Sequence, residues 1–155
     1  MKGNEKIIAL LNDQLSDELT AVSQYMVHAA MCANWGYGEL HDAIEHRAIE
    51  EMKHAEMLID RILFFEGQPV VSNLKKMFIA ADVEAQFKAD HAAEDGAIKA
   101  YNDGIKLAVA LGDNGTRALL ETILNDEEKH IDWLEAQLDQ IAQMGIKVYL
   151  AEKVS

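Results

Sequence analysis

The stretch IEEMKHAEM (Ile49–Met57) decides how this chain is read. With its flanks, Ile44, Ala48, Glu51, Ala55, Leu58 and Ile62 recur at helical spacing on one face, and His54 borders it. A carboxylate in the middle of an apolar stripe is costly to bury unless its charge is compensated. Residues 125–134, NDEEKHIDWL, repeat the anomaly. A shift of 76 positions lays Glu51 on Glu127, Lys53 on Lys129, His54 on His130 and Leu58 on Leu134. The same shift lays Glu18 on Glu94 and Tyr25 on Tyr101. One offset common to all these pairs describes two related halves, each a helical hairpin.

The rest of the chain fits that frame. Ile8, Leu11, Leu15, Leu19, Val22 and Met26 mark a first helix, which fades at NWGYGE (residues 34–39). A second is expected from Leu40 to Glu66, where EGQP stops it. Asp82 reads as the N-cap of a third, with Val83, Phe87, Glu94, Ile98, Tyr101 and Ile105 inward. A fourth runs from Thr116 to Met144 through Leu120, Leu124, Glu127, Leu134, Leu138 and Ile141, and IKVYLA adds a short tail helix. The expectation is one all-α domain over 1–155: hairpin 5–66, crossover 67–81, hairpin 82–144 and tail helix 146–153. Helices of about 27 residues are about 40 Å long, and the crossover segment reaches up to roughly 50 Å. It is long enough to traverse the bundle, so a four-helix bundle with one long crossover is favoured over a simple up-and-down order.

Composition narrows the function. Half the 155 residues are apolar, there is one proline, and good helix formers dominate. A net charge of −13 argues against binding nucleic acid or an anionic membrane surface. Cys32 stands alone and reads as an apolar filler in a reducing, cytoplasmic setting. No apolar run approaches membrane-spanning length, and MKGNEKIIAL lacks the features of a secretory leader.

Glu18, Glu51, Glu94 and Glu127 all fall near the middle of a helix, so they converge at one level of the bundle. Four carboxylates there repel one another and raise each other's pKa. Two divalent cations balance the charge, and His54 and His130 complete the ligand set. A lone Glu from each of two helices with Glu-x-x-His from the other two is the di-metal carboxylate pattern. Oxygen-rich ligands without thiolate favour iron or manganese. The repeat predicts two equivalent metals about a two-fold axis along the bundle. His28 and His41 read as solvated or helix-end residues, His91 as a neighbour of the stripe, and His46 with Glu50 as surface residues.

The halves differ on their backs. Leu19, Met26, Ala30, Ile49, Met52, Ile59 and Leu63 correspond to Asp95, Asn102, Lys106, Asn125, Glu128, Glu135 and Asp139. The apolar back of the first hairpin is too large to leave in water, so a two-fold pairing with a second copy is expected.

With Glu18, EMKH (Glu51, His54), Glu94 and EEKH (Glu127, His130), the sequence resembles the bacterioferritins over its whole length. That resemblance implies a ferritin-like bundle assembled into a 24-subunit shell. The shell stores iron that a ferroxidase centre oxidises from Fe(II) with dioxygen or peroxide. It implies two iron ions per subunit, with Glu51 and Glu127 bridging, Glu18 and His54 on one iron, and Glu94 and His130 on the other. It places Tyr25 near the centre and makes Met52 the ligand of a haem b shared by two subunits. A ferredoxin-type electron donor is the partner it implies for iron release. Two rival readings use part of the pattern: another di-iron oxidase or peroxide reductase, and a haem-binding bundle without storage.

Overall fold

The computed structural model describes residues 1–154; Ser155, the last residue of the expected domain, lies outside the described residues. The described residues form five helices and no strand: α1 (Glu5–Asn34), α2 (Gly38–Phe64), α3 (Val83–Ala110), α4 (Asn114–Met144) and the short α5 (Ile146–Ala151). This is a ferritin-like, all-α four-helix bundle with a C-terminal helix. Asn4 caps α1 by accepting from the Lys6 N–H, and Asp82 caps α3 by accepting from the Ala85 N–H, each satisfying an otherwise orphaned donor.

The repeat extends into the backbone. Gly36 and Gly112, 76 residues apart, both take the left-handed conformation that turns each hairpin. Around them the Tyr37 N–H donates to the Cys32 carbonyl, and the Asp113 N–H to that of Ala108, the same bond displaced by 76. α1 packs chiefly on α2, and α3 on α4; the hairpins meet through α1 against α3 and α2 against α4.

The crossover sets how they meet. From Gly67 to Ala81 the chain has no regular structure and runs back along α1, held by side chains of one helical stripe. Asn12 accepts from the Val70 N–H, Thr20 from Lys75, Gln24 from Phe78, and His28 Nε2 from Ala80. α3 therefore starts beside the end of α1 and runs antiparallel to it. Reciprocal contacts confirm the direction: Tyr25 meets Glu94, and Tyr101 meets Glu18. The two-fold relation between the halves is consequently perpendicular to the helices, not along the bundle as the repeat alone led us to expect.

The core stripe of α1 is also displaced from the expected one, by one position at Ile8, Leu19 and Met26. Ile7, Leu11, Leu15 and Tyr25 are buried, whereas Ile8, Leu19 and Val22 are half-buried and Met26 is exposed. Apolar residues lie on two faces of this helix, and the three-to-four spacing fits either. In α2 the stripe Ile44, Ala48, Glu51, Ala55, Leu58 and Ile62 is buried throughout.

Candidate metal centre

Two apolar clusters, one towards each end of the bundle, leave a polar layer between them. Glu18 comes from α1, Glu51 and His54 from α2, Glu94 from α3, and Glu127 and His130 from α4; none is more than 5 % exposed. Their ligand atoms fall into two groups, Glu18, Glu51, His54 and Glu127, and Glu51, Glu94, Glu127 and His130, each within 4.8 Å. Glu51 and Glu127 belong to both.

Buried polar atoms ordinarily find partners. Here Glu18 Oε2, Glu51 Oε1, Glu94 Oε2, Glu127 Oε1 and the Nδ1 atoms of His54 and His130 have no hydrogen bond. His54 Nδ1 lies 2.9 Å from Glu127 Oε1, and His130 Nδ1 2.8 Å from Glu51 Oε1, so the groups are close but misaligned for hydrogen bonding. Each side chain thus offers one free donor atom to a common interior. That is the arrangement of ligands around a cation, and the oxygen-rich set fits iron.

Outside this ring, four of the six residues are held by a partner. Tyr25 donates to Glu94 Oε1 at 2.6 Å and Tyr101 donates to Glu18 Oε1. The outer nitrogens of the histidines meet carboxylates: His54 Nε2 lies 2.9 Å from Asp126, and His130 Nε2 contacts Glu50. Such partners fix the tautomer and ring orientation of a metal-binding histidine. Asp126 and Glu50 are themselves 76 residues apart, each just before a ligand glutamate. Asp126 escaped the sequence reading, and Glu50 corrects it: the carboxylate expected on the surface joins exposed His46, at 2.7 Å, to buried His130. The signal was present in the paired acids of IEEMKH and NDEEKH.

Protons do the work of missing positive charge. Burial and then the charge of Glu18 push Glu51 well above the usual carboxylate range; burial and then Glu51 do the same to Glu127. Burial would lower both histidines, but the neighbouring carboxylates of Glu127, Glu18 and Glu51 raise His54, and that of Glu94 raises His130. Glu94 goes the other way: burial opposes its ionisation, yet Glu127 and His130 hold it down at about 2. A cation entering this layer would displace protons.

Behind Glu94 stands a second buried polar group. Asp90 accepts from Gln24 at 2.9 Å, from His28 Nδ1 at 2.9 Å and from Arg47 Nη2 at 3.1 Å. The Arg47 guanidinium lies between the rings of Tyr25 and Trp133, 4.8 and 5.2 Å from their centroids. His28, expected to be solvated, is fully buried. Its Nε2 accepts from the Ala80 N–H, so Nδ1 carries the proton towards Asp90. The crossover covers it, which no helical period reveals. His41 bonds the Ala29 carbonyl near a helix start, and His91 meets Glu135 at the surface.

On the back of the first hairpin, Met26, Ala30, Ile49, Met52 and Leu63 are exposed, while Leu19 and Ile59 are half-buried. A hollow of about 340 Å³ there is lined by Val22, Met26, Ala29, Ala48, Ile49 and Met52, with His41 and Glu45 at its edge. Among the described residues no helix is long and apolar enough to cross a membrane.

Comparison with known proteins agrees with this architecture. A family profile described as Ferritin-like domain matches residues 8–144. A protein named bacterioferritin from Mycolicibacterium paratuberculosis is 40 % identical over 155 residues, covering 100 % of this chain and 98 % of that one. One from Brucella melitensis is 41 % identical over 149 residues, 96 % and 92 % of the two chains. One from Streptomyces coelicolor is 39 % identical over 151 residues, 97 % and 90 %.

Proposed function

The chain belongs to the bacterioferritin family of ferritin-like proteins, and on that premise we propose that it stores iron and oxidises it at the carboxylate–histidine layer. The observation that carries this is the set of six buried side chains, each with one free ligand atom, in two overlapping groups. In this reading Fe(II) is the substrate. Glu18 and His54 hold one ion, Glu94 and His130 the other, and Glu51 with Glu127 bridge them. Two ferrous ions give up two electrons, which with two protons reduce dioxygen to peroxide, or peroxide to water. Anionic carboxylates favour the ferric product, and the four bundle helices hold them in place.

Tyr25 and Tyr101 orient Glu94 and Glu18 by hydrogen bonding, while Asp126 and Glu50 present His54 and His130 through Nδ1. The exposed apolar back supports a two-fold dimer and, beyond it, the family's 24-subunit shell. Its hollow fits one half of a haem site. Met52 is the ligand we assign, with Met26 on the same wall; a thioether favours the reduced haem iron. His41 is less suited, because its ring is engaged by Ala29 and Glu45.

The test is anaerobic loading with Fe(II) followed by mixing with dioxygen or peroxide, read as ferric absorbance, with particle size measured in parallel. Rapid oxidation in the unmodified protein, its loss in Glu127→Ala and a large hollow particle support the reading. Unchanged oxidation in Glu127→Ala overturns the site.

A further inference from the structure

A cavity of about 300 Å³ stands over the carboxylate layer on the α1–α3 side, and all four glutamates reach it. Its α3 wall is built from Ala89, Ala92, Ala93, Gly96 and Ala97, which leaves an apolar passage. The crossover roofs it and brings two consecutive lysines, Lys75 and Lys76, to its edge. Lys75 Nζ sits 2.9 Å from Asp13 and 2.6 Å from Asp17, and Asp17 also lines the cavity, one residue before Glu18. The Lys75 N–H donates to Thr20 at 2.9 Å, which fixes its place in the roof.

These ion pairs are partly exposed, and such pairs add little to stability. Their position matters more. Without the ammonium, Asp13 and Asp17 would set an uncompensated negative charge at the mouth of a low-dielectric passage ending in four carboxylates. Fields focused in that way raise the entry rate of a cation by about 10- to 1,000-fold. On the α2–α4 side the outer partners Glu50 and Asp126 carry no such lysine: Glu50 meets His46 and His130, and Asp126 meets His54.

We propose that Lys75 is a specificity residue at the cavity mouth: its ammonium occupies the place a divalent cation would take on Asp13 and Asp17. The passage is thereby left to a small neutral oxidant, and metal ions reach the layer from the acidic α2–α4 side. This rests on the metal-centre reading above and adds to it a direction of entry. No ligand of the centre is altered by changing Lys75.

The assembled, metal-free protein is mixed anaerobically with Co(II) in a stopped-flow instrument, and the Co(II) ligand-field band is followed. Lys75→Gln should bind roughly 10-fold faster than the unmodified protein at low ionic strength, by the focusing argument. The gain should vanish near 1 M salt, where screening acts within about 3 Å. Lys75→Arg should match the unmodified protein, and Lys75→Gln with Asp17→Asn should lose the gain. Equal or slower binding by Lys75→Gln, with a normal Co(II) spectrum, overturns the gate alone. Absence of any Co(II) band from the unmodified protein overturns the metal-centre reading and the gate together.

Discussion

The two sides of the carboxylate layer are built on the same plan and finished differently. On one, Tyr25 holds Glu94 and is backed by Gln24, His28, Arg47 and Asp90. On the other, Tyr101 holds Glu18, and the residues 76 positions away from that network are Ala100, Gly104, Ile123 and Gln14. Gly104 leaves the room that Gln14 fills: a Cβ there would lie 2.6 Å from Gln14 Nε2. Where the first side stacks a guanidinium on an aromatic ring, the second buries Ile123. The ligands and the groups that hold them obey the repeat, and the network behind Tyr25 and Glu94 does not. Two cations placed here would face similar donors in unequal surroundings, since Arg47 bears on Glu94 and Tyr25 and the other side buries Ile123 in its place.

The most severe way to break the comparison is to remove what both sides share. Loss of an outer partner of a metal ligand costs about 10- to 100-fold in affinity or activity. Glu127→Ala removes a ligand of both groups and should lose more than that in ferrous oxidation, leaving the helical circular dichroism unchanged. Glu18→Ala and Glu94→Ala should each retain one bound Co(II) per chain, and Asp126→Ala and Glu50→Ala should show the milder loss. Equal rates across this series would mean that the layer is not the oxidation site.

A second break falls on one side only. Asp90→Ala leaves Arg47 buried without its counter-charge and should cost about 3–5 kcal/mol of stability. Its counterpart Gln14→Ala removes one long hydrogen bond, 3.4 Å to the Ala100 carbonyl, and should cost about 1 kcal/mol. Chemical denaturation of the metal-free protein reads both. Equal costs would show that the Asp90 network is ordinary packing.

Acidity sharpens the same contrast. Folding raises His54 and His130 above 6.5 and Glu51 and Glu127 above 4.5, so the native state holds more protons than the unfolded chain. The histidine contribution is complete below 6.5 and is lost as pH rises through the folded values; the raised carboxylates act in the same direction from 4.5 upward. Glu94, held near 2, acts oppositely: its contribution is present above 4.5 and is lost towards 2. The melting temperature of the metal-free protein should therefore fall from about pH 6 to pH 9, and saturating Co(II) should abolish the fall. A flat profile without metal would contradict the proton-compensated layer.

The smallest structural effect belongs to the backs of the hairpins, where exposed Met52 faces Glu128 across the repeat. Met52→Leu conserves volume and should change stability by less than about 1.5 kcal/mol while keeping the dimer and ferrous oxidation. It should remove the low-spin spectrum of reconstituted haem, and Met26→Leu should not. Retention of that spectrum in Met52→Leu would exclude it as ligand.

The sequence carried the bundle and the six-residue layer because both depend on local period: Glu51 and Glu127 interrupt apolar stripes that only a helix produces. Helix ends shifted by a few residues, with α2 starting at Gly38 and α5 ending at Ala151. What stayed hidden depends on distant contacts. His28 looks solvated until the crossover folds over it. Arg47 is marked out by no pattern in the sequence and gains its role only where Asp90 arrives from α3, and Glu50 matters only because His130 reaches it from α4. The direction of the two-fold axis was hidden for the same reason, since it follows from where the crossover delivers α3.

That perpendicular axis bears on the history of the chain. Glu18 meets Tyr101 while Glu94 meets Tyr25, and His54 meets Asp126 while His130 meets Glu50, so each of these contacts has its counterpart 76 residues away. A protein half this long, consisting of one hairpin with its tyrosine, two glutamates, histidine and outer acid, would assemble the full six-ligand layer by pairing with a copy of itself. Gene duplication and fusion of such a dimer needs only a tether between the copies. The crossover is that tether, and joining the copies freed the halves to differ: the first carries Gln14 and Arg47 where the second carries Asp90 and Ile123.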